Sequence, residues 1–289
     1  MSKKQANLSV LVSGASSGIG RACAIRLSTR GIRVFAGVRQ IETGEDLVRE
    51  AGPDVFPVLL DITDENSIKE ATEIVMHASD GRGLNGLINN AGIAVAGPVQ
   101  YVDRKNVIDQ FSANVAGTIS LIQFFLPQIR LAAGRIINIG SISGRMVVPF
   151  LGMYAASKYA LEALTDALRM ELASADVKVS IIEPGAVSTP IWEKSSRRWE
   201  QTLQQIPEEE RERHRASISS GRAFIEKASA IGSSPSRVVD AILHALTSNR
   251  PKARYLIGLD SRLLLTARRL LPTRTADRLL MRLFSGGNS

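Results

Sequence analysis

Short apolar runs of strand length alternate along the chain with longer segments whose apolar residues recur at helical spacing. The runs Leu8–Val12, Arg33–Val38, Val55–Leu60, Gly86–Asn89, Arg135–Ile139, Val177–Ile182 and Ala253–Ile257 predict seven strands. Strands that read as near-continuous apolar runs, separated by helices, belong to a parallel sheet covered on both faces. Asp64 opens the helical run DENSIKEATEIVMHAS, with acids in its first turn and Ile68, Ala71, Ile74 and Val75 on its apolar side. Leu161, Leu164, Leu168 and Leu172 form a second stripe, on a helix expected to start near Gly152.

One segment breaks this rhythm. Glu193 to Arg222 is polar, charge-dense and without a strand, and it falls between the sixth and seventh strands. A helix is expected to resume with Ser234 as its cap and Pro235 at its first helical position. The pattern predicts one α/β domain over residues 1–289, with a helical lid at 190–232 and a basic amphipathic extension at 259–289.

Composition narrows the class. With 44% hydrophobic residues, 22% charged residues and 23 glycines without a period, the 289-residue chain is neither disordered, collagen-like nor a coiled coil. Its single cysteine, Cys23, has no partner for an internal disulfide, and His77, His214 and His244 show no metal-ligand spacing, so no metal is expected and a reducing, cytoplasmic setting is. The run Leu8–Val12 is too short for a secretory leader and breaks into glycines, and no stretch approaches the ~18 consecutive apolar residues of a membrane span.

The net charge of +8 is uneven: residues 1–189 hold 18 Lys+Arg against 18 Asp+Glu, and residues 190–289 hold 18 against 10. The excess belongs to the C-terminal third. There Ala276, Leu279, Leu280, Leu283 and Phe284 fall on one helix face beside Arg274, Arg278 and Arg282, and Leu263 to Leu265, Leu270 and Leu271 form a second apolar group. Such a tail can pack on its own protein, bridge an oligomer interface or lie on an anionic membrane surface. Nothing in this pattern calls for nucleic acid as a partner.

Immediately after the first strand comes Ser13-Gly14-Ala15-Ser16-Ser17-Gly18-Ile19-Gly20, followed by a run that can form a helix. Glycines let backbone turn sharply and approach a pyrophosphate, and the following helix offers free N–H groups to the anion. At the tip of the second strand stands Arg39, with no acid beside it. An acid there holds a ribose 2′-hydroxyl, whereas an arginine accommodates a 2′-phosphate, so NADP(H) is the expected cofactor, with NAD(H) the alternative. Ser16 or Ser17 can add a hydroxyl to the same phosphate.

Tyr154 has a lysine one helical turn on, Lys158. A neighbouring ammonium favours the phenolate and brings a phenol towards acid/base work near neutrality. Thirteen positions upstream, Ser141 follows an apolar strand and should project from the sheet's carboxyl edge, where ligands of open α/β sheets bind. Its hydroxyl can donate to a carbonyl oxygen that gains charge; Ser143 is the nearby rival.

The glycine spacing 14, 18, 20 resembles that of the short-chain dehydrogenase/reductase family, and Asn90-Ala91-Gly92, Asn114, Ser141, Tyr154 with Lys158, and Pro184-Gly185 follow in the order that family shows. The resemblance covers residues 8–189 and implies a doubly wound Rossmann fold whose catalytic set is Asn114, Ser141, Tyr154 and Lys158. It implies further that Asp61 and Ile62 flank the adenine, that Asn90, Ala91 and Gly92 line the cofactor cleft, and that Asn114 holds helix geometry and a proton-relaying water. Gly14, Ser16, Ser17, Gly18, Ile19 and Gly20 would hold the pyrophosphate turn, Pro184, Gly185, Val187 and Thr189 the nicotinamide carboxamide, and Tyr154 and Lys158 would also touch the cofactor. Pro184 can equally fix its turn without touching a ligand.

The implied activity is NADP(H)-dependent interconversion of a carbonyl and an alcohol by hydride transfer, with Tyr154 as general acid/base. The lid, with Trp192, Trp199, Leu203 and Ile206 at apolar positions, and the extension resemble members acting on lipophilic alcohols and ketones such as steroids and retinoids. The alternatives are a 3-ketoacyl-thioester reductase and a non-catalytic NADP(H)-binding sensor or scaffold. A homodimer or homotetramer is expected by the same resemblance.

Overall fold

The structure, a computed structural model, describes residues 8–284. Seven strands, β1 (Ser9–Ser13), β2 (Arg33–Val38), β3 (Val55–Leu59), β4 (Gly86–Asn89), β5 (Arg135–Ile139), β6 (Lys178–Pro184) and β7 (Arg254–Ile257), form one sheet in the order β3-β2-β1-β4-β5-β6-β7. Every neighbouring pair is parallel, so every strand delivers its carboxyl end to the same edge. The order reverses between β1 and β4, which opens a crevice at that edge. This is the doubly wound α/β fold expected from the alternation of runs.

Adjacent strand residues serve opposite faces. Val10, Val12, Ile88 and Ile137 join one core with α1 (Gly18–Ser28) and α2 (Ile41–Ala51), while Leu11, Leu87 and Ile136 join a second core with α3 (Glu65–Ala78). In α3, Asp64 caps the start by accepting from the Asn66 amide, and Ile68, Ala71 and Val75 are buried. Ile74, expected on the apolar side, is 51% exposed because its helical angle carries it past the edge of the stripe.

A long helix between β4 and β5 is continuous but not uniform: α4 (Arg104–Phe111) passes through one π turn at Ser112–Ala116 into α5 (Gly117–Leu131). The helix after β5, α6 (Gly152–Glu171), starts at the expected glycine. Its far half is tied to β7 and β6, because Arg254 reaches Glu162, Asp166 and Glu183, and Arg145 also reaches Glu183 at 3.2 Å.

The polar insertion folds as three helices, α7 (Ile191–Gln204), α8 (Glu208–Arg213) and α9 (Arg215–Ile231), joined by short turns. Trp192, Trp199, Leu203 and Ile206 bury against Ala96 and Leu151 in a third core, separate from the sheet's two. Phe150 meets Trp199 edge-on with ring centroids 5.0 Å apart, a favoured aromatic geometry. The next helix, α10 (Ser236–Thr247), begins one residue later than expected, with the Ser234 hydroxyl accepting from the Ser236 amide at 3.3 Å.

The extension forms α11 (Leu259–Leu270) and α12 (Thr273–Phe284). It packs on its own chain in part: Leu265 and Ala276 are buried, and α12 touches α9, whereas Leu263 and Leu270 stand out in solvent. Leu283 and Phe284, the last members of the expected apolar face, have side chains outside the described residues.

Candidate active site

The site grows out of the turn after β1. Gly20 sits where a Cβ would lie 2.2 Å from the Gly14 carbonyl oxygen, so only glycine lets α1 start this close to the strand. Asn90 pins the turn from β4, its amide donating to the Ser13 and Gly14 carbonyls at 3.0 and 3.1 Å. In return the Ser13 hydroxyl accepts from the Asn90 and Ala91 backbone amides, both at 3.0 Å. Ser13 was not among the expected site residues; its place before the first glycine was the only signal available.

The start of α1 is poorly capped in a useful way. Ser17 makes no side-chain cap bond and the first turn holds no acid, so the first N–H groups remain available to an anion. Gly18, at φ +57°, faces across to Thr189, whose Cβ would lie 3.1 Å from a Cβ built there. The nicotinamide-side segment and the pyrophosphate turn therefore close on each other.

A cleft of about 580 Å³ runs along this edge of the sheet, within the range of small-molecule and cofactor sites. Gly14, Ser16, Ser17, Gly18 and Ile19 line its first part, with Arg39, Asp61 and Ile62 beside them. Asn90, Ala91 and Gly92 line its middle, and Ser141, Tyr154 and Lys158 the part next to Pro184, Gly185, Val187 and Thr189. Gly20 and Asn114 stand behind the wall and shape it. Arg39 is exposed at the end of β2 and enters no ion pair among the described residues. Asp61 is occupied locally, accepting from the Thr63 amide and hydroxyl. An elongated cleft with an anion-ready helix start and an unpaired arginine at the strand tip fits an adenine dinucleotide.

Ser141 and Tyr154 meet, whereas Ser143 stands aside from the cleft. The Ser143 backbone amide donates to the Ser141 hydroxyl at 3.1 Å, which fixes Ser141 and leaves Ser143 out of the cleft lining. Tyr154 and Lys158 share the buried face of α6, and the Lys158 ammonium donates to the Ile139 carbonyl at 2.8 Å. Its Nζ stands 5.8 Å from the centre of the Tyr154 ring.

The electrostatics differ from the expectation of a lysine-lowered phenol. Burial pushes the Tyr154 hydroxyl up, with the Ser141 hydrogen bond opposing it, and burial pushes Lys158 down to about 8. Both groups are shut away from water, so desolvation of the charged forms outweighs their mutual influence. The pair favours a neutral phenol, poised to give a proton.

Asn114 lies in the π turn, a device frequent at functional sites. Its carboxamide accepts from the Ile93 amide at 2.8 Å and donates to the Ile93 carbonyl at 3.0 Å and to the Ser157 hydroxyl at 3.1 Å. Ser157 in turn donates to the Tyr154 carbonyl at 2.7 Å. Asn114 thus fastens the loop after β4 to the helix that carries Tyr154 and Lys158. Trp192, Lys194 and Arg198 of α7 also line the cleft, and of these only the tryptophan had been singled out from the sequence.

Together the fold and site define a dinucleotide-binding α/β oxidoreductase. A model of the short chain dehydrogenase family matches residues 9–200. Over 278 residues the chain is 36% identical to 17-beta-hydroxysteroid dehydrogenase type 6 of Bos taurus, covering 94% of this chain and 87% of that one. It is likewise 36% identical to retinol dehydrogenase 16 of Mus musculus over 280 residues, with the same coverage of 94% and 87%. A crystal structure of a short chain dehydrogenase from Burkholderia cenocepacia in complex with NADP superposes with a TM-score of 0.68 at 25% identity, covering 96% of each chain. The chain belongs to the short-chain dehydrogenase family and is an NAD(P)-dependent oxidoreductase.

Proposed function

We propose that the protein is an NADP(H)-preferring reductase and dehydrogenase that interconverts a ketone or aldehyde with an alcohol on a lipophilic substrate. The observation that carries this reading is the buried Ser141, Tyr154 and Lys158 set at the end of the cleft opposite Arg39.

When bound, the dinucleotide supplies the hydride. Ser141 holds the substrate oxygen by donating its hydroxyl hydrogen, and Tyr154 passes its phenolic proton to that oxygen as negative charge develops there. Lys158, held by the Ile139 carbonyl, keeps a cation near the phenolate left behind. In the reverse direction the phenolate takes the alcohol proton.

Arg39 supports the preference for NADP(H): a guanidinium can bind the 2′-phosphate bidentately, and no acid at the strand tip repels it. The lid supports a lipophilic substrate, because Trp192 borders the cleft and is backed by the apolar core of Trp199, Leu203 and Ile206. The relatives named for steroid and retinol dehydrogenation support the same substrate class. The exposed leucines of α11 and its arginines support contact of the extension with a second copy of the chain or an anionic membrane surface.

The test is fluorescence titration with NADPH and NADH, followed by turnover of apolar ketones. Wild type should prefer NADPH, and Arg39→Ala should lose about tenfold or more of that affinity with NADH binding kept. Equal affinity for both dinucleotides in wild type would remove the preference.

A further inference from the structure

Helix α7 carries three cations, Lys194, Arg197 and Arg198, and two acids, Glu193 and Glu200. Both acids are engaged elsewhere. Glu193 pairs with Arg197 at 2.7 Å on the solvent side of the helix, and Glu200 accepts two bonds of 2.9 Å from Arg222 of α9. Lys194 and Arg198, one turn apart, make a different ridge, and that ridge lines the cleft.

Neither of these two cations enters an ion pair among the described residues. The Nη1 group of Arg198 has no access to solvent, the open cleft included, and finds no hydrogen-bond partner among them, so reaching a bound anion takes a turn of the side chain. An unpaired buried donor is costly, more so when charged, unless something else satisfies it. The acids bordering the cleft do not: Asp61 is held by Thr63, and Asp109 by Lys105 at 2.6 Å. Trp192, on the same helix, is fixed by its indole N–H donating to the Val187 carbonyl at 2.9 Å, so an apolar wall and two cations face one cavity.

We propose that Lys194 and Arg198 form a cationic clamp for an anionic oxygen group, carboxylate or phosphate, of a molecule bound in the cleft. Two sources bring such a group: the dinucleotide's pyrophosphate, or a substrate whose apolar body ends in an acid. The clamp rests on the proposed function only for what occupies the cleft. A guanidinium presents parallel donors to either anion, and the lysine adds a point charge.

Three variants, Lys194→Ala, Arg198→Ala and Arg198→Lys, separate the sources. NADPH affinity is read by fluorescence, and kcat/KM is compared for a medium-chain keto acid and its methyl ester. If the pyrophosphate is held, NADPH affinity falls about tenfold or more in both alanine variants and the acid-to-ester ratio stays constant. If a substrate acid is held, NADPH affinity stays and only the keto acid loses, by about tenfold or more, with Arg198→Lys recovering most of it.

Unchanged NADPH affinity together with an unchanged acid-to-ester ratio in the alanine variants overturns the clamp. Lys194 is exposed, so Lys194→Ala carries the test even if Arg198→Ala fails to fold. Should wild type turn over neither ketone, the proposed reaction fails separately, and binding of NADPH and of the keto acid, followed by tryptophan fluorescence, still decides the clamp.

Discussion

Lys158 shows how burial sets the behaviour of a single side chain. Its pKa is pushed from 10.5 to about 8 by desolvation, so the folded state holds its proton less tightly than the unfolded chain does. Between about pH 8 and 10.5 the unfolded state then binds more protons, and this group's contribution to stability rises with pH. Below that window the burial cost is fully present. Denaturant melts on both sides of the window should show this rise in wild type and its loss in Lys158→Met; equal slopes would mean that the ammonium is not desolvated. Single-residue chemistry was only partly legible in the sequence. The i, i+4 spacing of Tyr154 and Lys158 placed them together, but their shared burial, which reverses the expected direction for the phenol, depends on what packs around α6.

At the scale of elements, the alternating pattern marked each strand to within two residues at either end, because buried parallel strands need continuous apolar runs. The π turn at Ser112–Ala116 was not legible, since its stabilising bonds run from Asn114 to Ile93 and Ser157, far away in sequence. The lid was legible as an insertion but not as three helices with a core of their own. Trp199 is fully buried at the centre of that core, against Phe150. Trp199→Ala should cost about 3–5 kcal/mol, concentrated in the lid, so limited proteolysis should cut within 190–232 faster while NADPH binding persists. Unchanged cleavage rates would show that the lid does not depend on this packing.

For the whole molecule, one feature of topology explains the site. All strands point their carboxyl ends at one edge, the order reverses between β1 and β4, and α7, inserted after β6, lines the cleft at the same edge. The glycine turn after β1, Ser141 after β5, Tyr154 on α6 and the Pro184–Thr189 segment after β6 converge there. The C-terminal extension was legible as amphipathic, but its division between packed Leu265 and Ala276 and exposed Leu263 and Leu270 depends on distant elements, because α11 packs on β7 and α12 on α9.

The central claim is that Tyr154 is the group that moves the proton. The most direct measurement is kcat for ketone reduction by Tyr154→Phe, with NADPH affinity measured in the same preparation. The expected result is a fall of about a hundredfold or more in kcat with NADPH affinity unchanged. Retention of wild-type kcat would contradict the account.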